Sequence, residues 1–333
     1  MSSWEALTVL ELISSVHRSP PLWMKSNGAW SGLSWLKKEF YQTWADYHLR
    51  FLDLMAERNF PLWAISTGNE PLNGVIGFLF IQFMSLGWTA NDQGHWLANN
   101  FGPTIRNSKH RSIKIFGSDD QRYVFPWWFD RMDQADSKAT SFLDGLAVHW
   151  YWDDVAPPSL LDRTHEKYPD KIILNTESCV GDKPLQTHGP ELGSWERAEH
   201  YITAYIEDLN HWVNGWVDWN LLLDEQGGPN YVKNFVDAAI IVNTTSRTEF
   251  YKQPIFYAIG HFSRFLPEGS LKIQVQSSNK NVVVTGFQRP DGSVAVIFYN
   301  KLVKNINLKF EDPVRGAIQF KIPPKSIHTL IYL

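Results

Sequence analysis

Up to about residue 262, short apolar runs alternate with longer amphipathic stretches, and nothing else in the chain constrains its fold as tightly. The runs cover 7–14, 60–66, 112–117, 145–150, 171–176 and 215–221. Between them lie helical candidates such as 39–57, with Trp44, Tyr47, Phe51 and Leu54 at helical spacing, and 195–212. This is the pattern of parallel strands joined by helices. It predicts six strand-helix units, two fewer than a closed eight-stranded barrel requires.

After Phe262 the pattern turns to strand and turn: 272–276, 281–287, 293–299, 305–310 and 328–332, with Arg289-Pro290-Asp291-Gly292 as a hairpin signal. Four or five strands seldom stand alone as a sandwich, so this module is expected to pack against the barrel. The predicted division is 1–268 for a barrel-like catalytic region and 269–333 for an antiparallel β-sandwich module.

Two of the apolar runs lead into glutamates. Ser66-Thr67-Gly68-Asn69-Glu70-Pro71 follows the second run, and Asn175-Thr176-Glu177-Ser178-Cys179 closes the fifth. Two carboxyl groups at strand ends suit glycosidic bond cleavage, where one protonates the leaving oxygen and the other meets the oxocarbenium-like carbon. They must differ in protonation. At the ~5 Å of a retaining pair, an effective dielectric near 20 gives about 3 kcal/mol of mutual repulsion. Once the nucleophile has become an ester that repulsion vanishes, and the acid can serve as base toward water.

A formal net charge of -4 and no Lys/Arg run argue against a nucleic-acid partner and favour an uncharged substrate. Sixteen tryptophans are several times ordinary usage; most are expected in the core, the rest as platforms for sugar rings. One cysteine, Cys179, excludes an intrachain disulfide and reads as an inert buried thiol. The start, Met1-Ser2-Ser3-Trp4-Glu5-Ala6-Leu7, shows no signal-peptide pattern, and no run of about 18 apolar residues occurs. His165-Glu166 lacks the second histidine of a zinc helix, and there is no glycine-rich phosphate loop, so neither metal nor cofactor is expected. Asn243-Thr244-Thr245 is a glycosylation sequon.

Longer blocks carry a resemblance. Asn214-Gly215-Trp216-Val217-Asp218-Trp219-Asn220, then Gly227-Gly228-Pro229-Asn230-Tyr231-Val232-Lys233-Asn234-Phe235-Val236-Asp237, Phe250-Tyr251-Lys252-Gln253-Pro254 and Gly260-His261-Phe262-Ser263 together make the chain similar, from about Trp23 onward, to the glucosylceramidases of glycoside hydrolase family 30. The resemblance implies an α/β fold: a (β/α)8 TIM barrel, here lacking its first two strands, with a C-terminal antiparallel β-sandwich module. It implies retaining hydrolysis of a β-glucoside, with glucosylceramide preferred, Glu70 as acid/base and Glu177 as nucleophile. Asn69 would bond the sugar 2-hydroxyl, His149 and Tyr151 would orient the carboxylates or line the mouth, Trp219 would wall the sugar subsite, and Asn234 would reach in from a loop. A lipid-presenting activator protein, an anionic membrane surface and a lysosomal location are implied in the same way.

Structural readings compete with these roles. Asn69-Glu70-Pro71 suits a turn capping a helix; His149, Tyr151 and Trp219 suit barrel packing. Adjacent strand residues face opposite ways, so Asp119 or Asp120 reads as support for the carboxylates, with Arg122 as partner. The chain lacks the family's first two strands and leading sandwich strand, hence an arginine beside the nucleophile and a sugar-binding aspartate, and 14–21 lacks a sugar-binding tryptophan. Two alternatives therefore stand beside the enzyme: an impaired fragment or isoform with a binding or regulatory role, and a β-glycosidase acting on another β-linked glycan.

Overall fold

In a computed structural model the described residues are 12–14, 20–60, 62–76, 84–181, 187–230 and 233–333. The expectations for the extreme N-terminus, for most of 14–21 and for Tyr231 and Val232 lie outside them. The described residues divide into two compact units, one within Val9–Ser178 with His211–Val217, the other within Cys179–Asn210 and Asp218–Leu333.

The first unit is built on a six-stranded parallel sheet in sequential order: β1 (Leu12–Ser14), β2 (Leu62–Ser66), β3 (Lys114–Gln121), β4 (Gly145–His149), β5 (Ile172–Glu177) and β6 (Val213–Trp216). All six lie where apolar runs predicted them, although β6 starts two residues early and β3 runs four residues past its run. β4 is buried along its whole length, and β3 and β5 at all but their first residues, as expected of the inner strands of a parallel sheet.

Helix α1 (Tyr41–Glu57) buries Trp44, Ala45, His48 and Leu52. That stripe is rotated from the predicted one, and Tyr47 is exposed. The buried stripe joins α2 (Ala90–Trp96), α3 (Gly102–Arg106) and α4 (Trp127–Ala135) around an aromatic core in which Trp96 stacks on Phe101 at 4.7 Å and on Trp88 at 5.2 Å. α5 (Ser159–Lys167) precedes β5. Tryptophans are less interior than expected: among the described residues five are buried (Trp44, Trp88, Trp96, Trp128, Trp150) and six are exposed.

The second unit holds α6 (Trp195–Asn210), a three-stranded sheet of β7 (Leu222–Asp224), β8 (Ile240–Val242) and β9 (Phe250–Lys252), and α7 (Pro254–Ser263). Its C-terminal part is a four-stranded antiparallel sheet, β10 (Leu271–Ile273), β11 (Val282–Gln288), β12 (Val294–Asn300) and β15 (Ser326–Tyr332), with the hairpin β13 (Ile306–Asp312) and β14 (Gly316–Ile322). Val282, Val294, Val296, Phe298 and Ile322 form its core. The sequence did not reveal β14, most of whose side chains are exposed and leave little alternation to detect. Within this unit Asn210 on α6 donates to the Val284 carbonyl at 2.9 Å, and His261 on α7 meets Thr329 at 2.8 Å.

Candidate active site

The C-terminal ends of β3, β4 and β5 set polar side chains side by side. Register pairs Gln121 with His149 and His149 with Glu177. A bulge in β3 between Ser118 and Asp120 accompanies positive φ at Ser118 (71°) and Asp119 (54°). Strained backbone of this kind costs on the order of 1–3 kcal/mol per residue and concentrates at functional sites. Here it aims the Asp119 carbonyl at the N–H of Glu70, 2.8 Å away.

Glu70 follows β2 by four residues and is itself left-handed, φ 42°. Its side chain does not cap the turn that follows. Instead Oε1 accepts from Gln121 Nε2 at 2.7 Å and meets His149 Nδ1 at 2.9 Å, while Oε2 accepts from Asn73. The carboxylate is held by three neighbours in a buried position.

His149 is buried between acids. Nε2 lies 3.1 Å from Asp119 Oδ1, and Nδ1 lies 4.0 Å from Glu177 Oε1 besides its contact with Glu70. Burial alone lowers the imidazole's proton affinity, but the charge of Glu177, the bond to Asp119 and the bond and charge of Glu70 outweigh it, and its pKa stands well above the ordinary 6.5. An imidazolium donates from both nitrogens and so serves Glu70 and Asp119 together. Thr176 fixes Asp119 in turn, donating to Oδ1 at 2.7 Å.

Glu177 ends β5 and is buried; the Tyr151 hydroxyl donates to its Oε1 at 2.9 Å. Tyr151 lies in the turn two residues past β4, not in the strand. One carboxylate oxygen each of Glu70 and Glu177 and one His149 nitrogen fall within 4.8 Å of one another. Sequence spacing did not show this trio, whose atoms are of the kinds that can ligate a metal ion. Both ring nitrogens of His149 are already engaged by carboxylates, so a cation would have to displace one of those bonds.

Asp120 accepts from the N–H groups of Gln121 (2.7 Å) and Leu72 (3.1 Å). Burial, and next the charge of Glu70, push its carboxyl up to about 7. Arg122 pairs with Asp153 at 2.5 Å. Asn69 has a buried side-chain oxygen without a hydrogen-bond partner among the described residues, as an acceptor reserved for a ligand hydroxyl would.

The fold thus brings together Glu70, His149, Tyr151 and Glu177 in the first unit. Trp219 and Asn234 belong to the second, where Trp219 donates its N–H to Asp218 at 3.0 Å and the Asn234 carbonyl accepts from Asn230 at 2.5 Å. Sequence reading missed Gln121, Asn73 and Thr176. Asn73 carried a signal, since three residues after Glu70 it shares one turn with it. Cys179 is buried and free of disulfide. The Asn243 amide is tied to Tyr251 at 2.9 Å. Among the described residues no helix is long and apolar enough to cross a membrane.

Acids and their fixed donors at the carboxyl ends of parallel strands define a barrel-type active site. The chain belongs to glycoside hydrolase family 30: residues 5–266 match the Glycosyl hydrolase family 30 TIM-barrel domain, and 269–330 match the Glycosyl hydrolase family 30 beta sandwich domain. It is similar to the lysosomal acid glucosylceramidase of Mus musculus, 38% identical over 337 residues that cover 98% of this chain and 64% of that protein. An endo-1,6-beta-D-glucanase of Trichoderma harzianum is 22% identical over 94% of the chain and 62% of its own length. Among solved structures, SrfJ from Salmonella typhimurium superposes with a TM-score of 0.86 at 25% identity, covering 97% of this chain and 68% of that one. The chain thus spans less than two thirds of the length of these curated relatives.

Proposed function

We propose that this chain carries the catalytic centre of a retaining β-glucosidase acting on glucosylceramide, with residues 1–268 as the catalytic region and 269–333 as the sandwich module. The observation that carries the reading is the approach of Glu70 and Glu177 to within 4.8 Å. This suits direct attack, whereas an inverting pair stands about 6.5–9.5 Å apart to admit a water. Glu70 hands its proton to the glycosidic oxygen as Glu177 bonds to the anomeric carbon and ceramide leaves. Water then adds to that carbon, Glu70 takes its proton, and the ester breaks to release glucose and regenerate Glu177.

The surrounding groups fit these roles. Gln121, Asn73 and His149 hold Glu70 without a free rotamer, and Tyr151 donates to Glu177 where negative charge must be kept before attack. The imidazolium of His149 supplies a positive charge beside both carboxylates, a role the sequence reading had left to an arginine it could not find. Asn69 would receive the sugar 2-hydroxyl, with Trp219 and Asn234 as further sugar contacts. The similarity to a lysosomal glucosylceramidase supports the lipid substrate, a lysosomal location, and an activator protein or anionic membrane as partner. The glucanase similarity favours a second reading, a β-linked glycan in place of the lipid.

The test is intact mass after incubation at mildly acidic pH with a glucose-configured epoxide, beside Glu177→Gln. One adduct, absent from the variant, is expected, followed by turnover of glucosylceramide above that of a β-1,6-glucan. Folded protein that takes up no adduct would refute the enzyme reading and leave an impaired fragment.

A further inference from the structure

The turns that follow β3 and β4 stand side by side at the end of the sheet that carries the acids. Register pairs Gln121, the last residue of β3, with His149, the last of β4. Just beyond, Arg122 crosses from one turn to the other: its guanidinium is buried and donates to Asp153 at 2.5 Å and to the Ala156 carbonyl at 3.2 Å. The second turn is ordered by its own backbone as well, with Asp153 N–H on the Trp150 carbonyl and Val155 N–H on that of Trp152, both at 3.1 Å. A charge-assisted bond out of contact with water ties the two turns into one rigid edge.

Each turn raises one large ring beside that bridge. Tyr123 follows Arg122 and is 41% exposed; Trp152 precedes Asp153 and is 57% exposed. Neither ring belongs to the hydrophobic core of this unit. Tyr123 reaches toward the acid: burial, and next the charges of Asp120 and Glu70, push its hydroxyl well above the ordinary 10. Trp152 adjoins Tyr151, which donates to Glu177 at 2.9 Å. Gln121 adds a polar partner. Its Nε2 donates to Glu70 at 2.7 Å, which leaves Oε1 buried and without a hydrogen-bond partner among the described residues. A buried acceptor left open in this way calls for a hydroxyl or N–H from a ligand.

We propose that Tyr123 and Trp152, together with Gln121, form a subsite for a leaving group that is itself a sugar ring, so that the site accepts β-glucosides of other sugars. The acid glutamate protonates the leaving oxygen, so side chains gathered around Glu70 are the ones a leaving group meets. Ring faces beside a buried amide oxygen match a sugar, whose C–H faces lie on aromatics while its hydroxyls seek acceptors. The connections after parallel strands are where barrel enzymes assemble such contacts. Charge agrees with that occupant: Asp153 and Asp154 follow Trp152 directly and no basic residue occurs from 151 to 162, acceptors that suit hydroxyls and offer nothing to a hydrocarbon chain. The proposal rests on the retaining glucosidase reading above and assigns residues to its leaving-group side.

The full chain is trapped with 2-deoxy-2-fluoro-β-glucosyl fluoride, which esterifies Glu177 as fluoride leaves, and freed of excess reagent. Recovery of activity is then followed in water alone, with methyl β-glucoside and with 1-hexanol. A bound acceptor sends its hydroxyl oxygen to the anomeric carbon and its proton to Glu70, while the ester bond breaks and its electron pair returns to Glu177 as carboxylate. Methyl β-glucoside is expected to speed recovery saturably, with a disaccharide product seen by mass, and 1-hexanol to do far less. Tyr123→Ala and Trp152→Ala should each raise the half-saturating glucoside concentration about tenfold, the size of one lost ring contact, every rate being taken relative to the same protein in water. Tyr123→Phe keeps the ring and should restore the wild-type value. The subsite is overturned if water alone reactivates the wild type, if 1-hexanol matches the glucoside, or if both alanine variants saturate like the wild type. Folded protein that forms no ester would sink the proposed function and this subsite with it, whereas an ester indifferent to sugars would sink the subsite alone.

Discussion

Asp120→Asn should change sign in its effect on stability within the mildly acidic range. The Asp120 carboxyl is buried and stands near 7 instead of its ordinary 3.8, so the folded protein prefers it neutral. Its contribution is complete below the ordinary value and is lost as pH rises through about 7. Three pH units at about 1.4 kcal/mol each make that loss about 4 kcal/mol in the wild type. Asparagine carries no such penalty, but it offers one acceptor oxygen where Asp120 accepts from both Leu72 and Gln121. One buried N–H left unpaired costs about 1–2 kcal/mol. The variant should therefore be less stable than the wild type below about pH 5 and more stable by about 2–3 kcal/mol at pH 8. Urea unfolding of both proteins at half-unit steps from pH 4.5 to 8 measures the difference directly, and contributions from groups remote from Asp120, Glu70 and His149 cancel. Parallel curves, or a variant still less stable at pH 8, would refute an Asp120 held neutral by burial and by Glu70.

Other expectations follow from the same contacts. Tyr151→Phe removes a donor to the buried Glu177 carboxylate, about 1.5–3 kcal/mol for a charged acceptor; epoxide labelling should slow roughly 10- to 100-fold and the melting temperature should fall by a few degrees, and an unchanged labelling rate would deny the hydroxyl any part in the reaction. His149→Gln takes a cation from among three buried acids and should cost about 3–5 kcal/mol in denaturant unfolding. Because the folded pKa of His149 is raised, that loss should be full below pH 6.5 and shrink only as pH climbs through the raised value. Gly74→Ala forces a Cβ against backbone and should lower the melting temperature sharply or abolish soluble expression. Gly260→Ala, on α7 with nothing within 4 Å, should instead stabilise by about 0.5–1 kcal/mol.

What could be read along the chain was whatever a strand or a turn announces by its own neighbours. The parallel strands declared themselves because strands buried like β3, β4 and β5 must be largely apolar, and Glu70 and Glu177 stood out as acids close behind or at the end of such a run, where charge is costly unless used. The blocks from Asn214 to Asp237 and from Phe250 to Ser263 placed the family. β14, with mostly exposed side chains, had no such pattern to show, and the buried stripe of α1 turned away from the predicted one because its neighbours decided which side was covered.

The site itself is a lateral object. That Gln121, His149 and Glu177 stand level depends on register across β3, β4 and β5 and on the bulges that shift it. No periodicity within one strand encodes that register. Nor could composition say which tryptophans face water: Trp96 and Trp152 are the same residue type, one sealed against Phe101 and the other raised on a turn fixed by the buried Arg122. By itself the sequence determined the strands, the two acids and the family. The tertiary structure alone decided the charge state around His149, the neutral Asp120 and the exposed aromatic rim, because burial and the distance between charges exist only once the chain has folded.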